Sequence, residues 1–247
     1  MRRHDLLAGL HELLAPRTYL EIGVNRGVSM GLSRTRSIGV DPAFKIDHEI
    51  RCDVHLVRRS SDEFFASQDA FDHFGAPVAD LTFIDGMHLA EYALRDFINV
   101  ERLSHPASVV VVDDVLPRTS DQAKRRRDPG PWTGDVYKVL ETLRQLRRDL
   151  VILEMDTLPT GTVVVLNLDP ASRVLADAYD DLVESYVSLD PQDVPEAILR
   201  RSRALDPEVL LDAPIWQELR RLRDGDADSV RAEVRPLLAG AGLADAS

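Results

Sequence analysis

The stretch Tyr19-Leu20-Glu21-Ile22-Gly23-Val24-Asn25-Arg26-Gly27-Val28-Ser29 most restricts what this chain can become. An apolar run carrying one acid meets two glycines four residues apart. Glycine lets backbone N–H groups approach a ligand with no Cβ in the way. A helix after such a turn adds a partly positive N-terminus. The combination predicts an α/β protein with a nucleoside-bearing cofactor at the carboxyl end of its first strand.

The remaining pattern is strand–helix alternation. Leu6, Leu7, Leu10, Leu13 and Leu14 predict a helix over residues 3–14, ahead of Pro16. Strands are expected at 18–22, 37–41, 54–57, 80–85, 108–112, 150–155 and 162–168. The valine run 109–112 suits a central parallel strand buried on both faces. Helices are expected from Ser60 or Ser61 through Phe65, over 89–103, and over 133–148. Residues 156–161 are too few for a crossover helix, so the last two strands must form an antiparallel hairpin. The expected fold is therefore a doubly wound α/β domain over residues 1–170, with a mostly parallel seven-stranded sheet whose last strand is antiparallel. A helical extension follows over 171–247, interrupted at Pro191, Pro195, Pro207, Pro214 and Pro236. It either docks on the domain or builds a homo-oligomer interface, and residues 237–247 are expected to fray.

Composition narrows the class. A net charge of −12 argues against coating a nucleic acid, which needs excess Lys and Arg. The single cysteine, Cys52, allows neither an internal disulfide nor a thiolate metal cluster. The first residues lack the apolar run of a signal peptide, and no apolar stretch is long enough to span a bilayer. A cytoplasmic protein without membrane partners is expected.

Two further motifs lie at the carboxyl ends of adjacent expected strands: Ile84-Asp85-Gly86-Met87-His88 and Val112-Asp113-Asp114. Three carboxylates converging there repel unless a cation sits among them. Oxygen ligands suit Mg²⁺, which takes its remaining ligands from water and substrate.

On these residues the chain resembles the class I S-adenosylmethionine-dependent methyltransferases over roughly residues 17–168, and within them the metal-dependent sugar O-methyltransferases of natural-product tailoring. The resemblance implies a Rossmann-like methyltransferase fold with S-adenosylmethionine and Mg²⁺ or another divalent ion as cofactors. It implies cofactor contacts from Glu21, Gly23, Asn25, Gly27, Asp41, Ser61, Asp62 and Asp85. Glu21 would anchor the methionine ammonium, Asp41 the ribose hydroxyls, and Ser61 and Asp62 the adenine. Asn25 replaces the family's middle glycine, a mild departure because Asn tolerates positive φ. Asp85, Asp113 and Asp114 would hold the metal, with the 28-residue interval from Asp85 to Asp113 matching the family, and His88 would be the base. Met87 stands where some relatives carry an acidic base.

The implied reaction is methyl transfer to a hydroxyl of a sugar or other polyhydroxylated small molecule. A metal-independent N- or O-methyltransferase and a non-catalytic S-adenosylmethionine-binding protein are the alternatives. The loop at 116–131 carries Arg118, Lys124, Arg125, Arg126 and Arg127 and reads as a solvated surface loop or a lid over an anionic or glycosylated acceptor. Trp132 could stack on a sugar ring or anchor the next helix. Asp96 reads as part of a solvated helix face.

Overall fold

A computed structural model describes residues 1–75 and 78–243. The strands are β1 (Thr18–Ile22), β2 (Arg36–Val40), β3 (Val54–Val57), β4 (Leu81–Ile84), β5 (Val109–Asp113), β6 (Val151–Met155) and β7 (Thr162–Leu166). They form one sheet in the order β3-β2-β1-β4-β5-β7-β6. All neighbours pair in parallel except β7, which runs antiparallel to both β5 and β6. The order reverses between β1 and β4, so a crevice opens at the carboxyl ends of those strands.

Helices cover both faces. α1 (Arg3–Leu14) turns Leu6, Leu7, Leu10 and Leu14 onto one face of the sheet. α2 (Ser61–Phe65), α3 (Ala90–Glu101) and α4 (Tyr137–Leu146) pack on the other. Side-chain alternation along β5 explains both layers: Val110 and Val112 enter the core under α3 and α4, while Val109 and Val111 enter the core under α1.

The chain after residue 170 folds as α5 (Val174–Asp177), α6 (Tyr179–Tyr186), α7 (Glu196–Leu199), α8 (Pro207–Leu211), α9 (Trp216–Leu222) and α10 (Ala227–Gly240). These helices dock on the sheet domain. Leu175, Tyr186 and Ile198 join the first core, and Leu210, Trp216, Leu219, Val234 and Leu238 join the second. Among the described residues, no helix is long and apolar enough to cross a membrane.

Three expectations fail locally. No α-helix follows the glycine turn: Met30–Leu32 form only a 3-10 turn. Gly27, Ser29, Gly31 and Ser33 fall within seven residues, and both types are poor helix formers. The macrodipole expected there is therefore missing. Pro236 lies inside α10 rather than ending it. Leu237–Gly240 belong to that helix and Leu243 is buried, so apolar packing holds this part of the tail. The rest of the expected frayed segment, 244–247, lies outside the described residues.

Candidate active site

At the carboxyl edge of β1, β2 and β4 a cavity of about 620 Å³ opens. Its wall includes Gly23, Asn25, Asp41, Ser61, Asp62, Asp85 and His88, seven of the residues singled out in the sequence. Gly23 (φ +93) is where the β1 turn crosses the end of β4, and a Cβ on it would lie 1.9 Å from the Asp85 carbonyl oxygen. Only glycine fits that approach. Asn25 takes positive φ (+48) and its N–H donates to Asp41 Oδ2 at 2.7 Å. Asp41 also accepts from the Ala43 N–H at 2.6 Å, so its carboxylate is held at the cavity rim. Ser60 caps α2, paired reciprocally with Glu63, which leaves Ser61 on the wall. Asp62 is clamped by both ends of the Arg95 guanidinium at 2.5 Å.

Glu21 and Gly27 are not on this wall. Along β1, Leu20 and Ile22 face the α3 side, so Glu21 shares the opposite face with Tyr19. Glu21 is fully buried and accepts from the Tyr19 hydroxyl at 2.7 Å, while its second oxygen has no partner among the described residues. Burial pushes its pKa up to about 8.

His88 sits between two carboxylates. Its Nε2 lies 3.3 Å from Asp85 Oδ1 and its Nδ1 lies 3.1 Å from Asp114 Oδ2. Its ring stacks on Trp132 at 4.9 Å between centroids, 12° from parallel. Gly134 (φ +57) presses against the His88 backbone, where a Cβ would meet the carbonyl oxygen at 1.5 Å. Burial opposes charge on the imidazole, but the hydrogen bond to Asp85 and the nearby charges of Asp114 and Asp85 outweigh it and push its pKa up to about 9. Burial likewise raises Asp114 to about 6, although the charge on His88 draws it back. Asp114 holds positive φ (+62), a strained conformation for a non-glycine residue, and this turns its side chain to His88.

The structure splits the Asp-Asp pair. One oxygen of Asp85, one nitrogen of His88 and one oxygen of Asp114 lie within 4.8 Å of one another, close enough to share a metal ion. Asp113 is not in that group. Strand parity places it on the α1 face with Val109 and Val111, where Arg3 meets it at 2.6 Å. Of the three aspartates expected from the sequence, Asp85 and Asp114 thus lie together beside His88, and Asp113 lies apart on Arg3.

Two residues lie on the cavity that the sequence did not place there. Arg3 lines the cavity and reaches both Asp113 and, at 3.8 Å, Asp85. Asp96 also lines the cavity, only 2% exposed, with Oδ1 unpartnered among the described residues. Burial raises its pKa to about 7. A solvated helix face was expected, but Asp96 falls on the inward stripe with Ala93, Phe97 and Val100. That spacing was readable.

The basic loop divides its labour. Arg125 pairs with Glu91 and Asp135, Lys124 with Asp121, and Arg126 lies by Asp128. Arg127, Gly130 and Trp132 reach the cavity, with the Arg127 guanidinium 5.5 Å from the Trp132 ring centre.

Residues 20–115 match the family described as "Methyltransferase domain". No curated protein matches the chain. Among solved structures it is similar to the O-methyltransferase TomG from Streptomyces achromogenes, in complex with SAM and involved in tomaymycin synthesis. That likeness has 21% identity, 68% of this chain, 80% of that chain and a TM-score of 0.49. It is similar to an O-methyltransferase from Bacillus cereus in complex with SAH (16% identity, 66% and 80% covered, TM-score 0.46). It is also similar to the MycE methyltransferase of mycinamycin biosynthesis, in complex with Mg, SAH and mycinamycin VI (18% identity, 66% and 48% covered, TM-score 0.44). Residues 20–115 of this chain thus carry a methyltransferase domain, set in a seven-stranded sheet that reverses only at β7.

Proposed function

We propose that the chain methylates a hydroxyl of a polyhydroxylated small molecule, with a divalent cation beside His88. The observation that supports this most is one cavity lined by Gly23, Asn25 and Asp41 and also by Asp85 and His88, with Asp114 within reach of both of the last two. Donor and acceptor ends of one transfer thereby share one pocket.

The residues fit both absent groups. Asp41 is placed to accept from two ribose hydroxyls, and Ser61 and Asp96 supply polar atoms at the far end for an adenine. Bound S-adenosylmethionine supplies an electrophilic methyl on a sulfonium. The carboxylates of Asp85 and Asp114 fit a hard divalent ion beside His88, and that ion would lower the pKa of a hydroxyl bound to it.

The chain's own residues do the rest. His88 is the group that takes the hydroxyl proton. Unscreened, Asp85 and Asp114 hold it protonated at neutral pH, so it becomes a competent base once those carboxylates are otherwise neutralised. Trp132 and Gly134 fix the ring's plane from behind. Tyr92, Arg127 and Trp132 bound the acceptor side and narrow access by water. Positioning of this kind supplies effective molarities that can reach on the order of 10⁵ M.

The test is methyl transfer from labelled S-adenosylmethionine to a panel of sugar and polyol acceptors. Transfer that stops in chelator, returns with Mg²⁺ and is lost in Asp114→Asn supports the reading. Undiminished transfer in chelator supports the second reading, a metal-free transfer through His88. The Arg3–Asp113 ion pair favours that alternative, because it already balances one of the three carboxylates.

A further inference from the structure

The first turn of α1 delivers a guanidinium into the acidic site. Arg3 NH1 lies 2.6 Å from Asp113 Oδ2 and its NH2 lies 3.8 Å from Asp85 Oδ2, so one cation spans two of the three carboxylates. This is a built contact. The Arg3 N–H donates to the Leu158 carbonyl at 3.2 Å, and the Leu158 N–H donates back to Met1 at 3.0 Å. Asp5 closes the helix start by accepting from the Arg2 N–H at 2.9 Å. Leu6, Leu7 and Leu10 then pin the helix to the sheet. Asp113 is 2% exposed and neither of its oxygens receives a well-aligned hydrogen bond, so Arg3 is its principal compensation among the described residues.

We propose that Arg3 is the resident cation of this site: it neutralises Asp113 and thereby sets how strongly Asp85 and Asp114, beside His88, take a divalent ion. The proposal rests on the metal reading above. Its physical basis is Coulombic. A fixed positive charge a few ångströms from the ligand oxygens, in a largely buried setting, opposes entry of a second cation. It also stabilises the cluster when no ion is bound, since a single imidazolium cannot balance the mutual repulsion of three adjacent carboxylates. Asp113 on this account is the counterion of α1 and not a metal ligand. Selectivity follows as well, because weakly held ions would fail to compete with the guanidinium.

The test is Mn²⁺ titration of the full chain, followed by the paramagnetic signal of free Mn²⁺. Wild type is compared with Arg3→Gln, Arg3→Lys and Arg2→Gln. Arg3→Gln should bind Mn²⁺ about tenfold or more tightly than wild type, while Arg3→Lys should stay within about threefold. Arg2→Gln removes the same formal charge one residue away on an exposed side chain and should leave the affinity unchanged. Circular dichroism and binding of S-adenosylhomocysteine verify that each variant is folded. Equal affinity in Arg3→Gln and wild type overturns the proposal. So does a gain of the same size in Arg2→Gln, and so does the absence of Mn²⁺ binding in every variant. Methyl transfer that persists in chelator would sink the metal reading separately, whatever the titration shows.

Discussion

Two buried charge clusters lie on opposite ends of this sheet, and they are built differently. At the amino-terminal end of the β5 region, Arg147 donates to both oxygens of Glu101 at 2.6 and 2.8 Å and to both oxygens of Asp149 at 2.9 and 2.8 Å. Glu101 also accepts from the Asp169 N–H, and Arg231 from α10 closes on Asp149 and Asp169 at 2.5 Å. Every carboxylate there is answered. At the carboxyl edge, by contrast, Glu21 Oε1, Asp96 Oδ1 and both Asp113 oxygens lack hydrogen bonds among the described residues, and Asp113, Asp114, Glu21 and Asp96 are all held above the ordinary carboxylate range, first by burial. The first cluster ties α3, α4 and α10 together. The second leaves polar atoms without hydrogen bonds, Asp96 on the cavity wall and Glu21 and Asp113 on the α1 face behind it. Unanswered buried polarity, rather than charge density, separates site from scaffold.

Mutation tests that contrast. His88→Ala should cut methyl transfer roughly 10²- to 10⁴-fold with little change in melting temperature, as measured in steady-state assays beside calorimetry. Arg147→Met should do the reverse: it strands Glu101 and costs about 3–5 kcal/mol of stability in denaturant unfolding, while folded molecules keep their turnover. If Arg147→Met instead lowers turnover without destabilising, the two clusters are not distinct in kind.

The pH dependence of stability should carry the site's signature. Asp96 rises from 3.8 to about 7 and Glu21 from 4.5 to about 8. A raised acid costs nothing below its unfolded pKa and accumulates its penalty as pH climbs to the folded one. Metal-free protein should therefore melt at a lower temperature at pH 8 than at pH 5. Asp96→Asn should flatten that decline, recovering at most about 4 kcal/mol at pH 8. A decline unchanged in Asp96→Asn would place the proton elsewhere. The smallest effect is expected at the rim. Asp41→Asn keeps the fold and should weaken S-adenosylhomocysteine about tenfold in isothermal titration, the worth of one charge-assisted hydrogen bond.

Much of this was legible before any coordinates. The valine strand, the six-residue hairpin link and the glycine spacing carry the sheet and its ligand edge, because burial on both faces and crossover length leave few alternatives. Asp85 and His88 follow from their position at a strand end. Other features needed the third dimension. Strand parity sends Glu21 and Asp113 to the α1 face, and could have been counted from Leu20 and Val112. The positive φ that turns Asp114 back toward His88 has no marker in an aspartate. Arg3 precedes Asp113 by more than a hundred residues, and nothing local to a leucine helix announces that its first turn ends in the site. The missing helix after Gly27 was signalled by Gly27, Ser29, Gly31 and Ser33, whose propensities oppose the motif's usual continuation.

The most direct test is anomalous diffraction from crystals of the full chain holding S-adenosylhomocysteine and Mn²⁺. The nucleoside is expected between Asp41 and Ser61 and a manganese peak at about 2.1 Å from oxygens of Asp85 and Asp114, with Asp113 still on Arg3. A nucleoside bound elsewhere, or a manganese site that excludes Asp85 and Asp114, would contradict this.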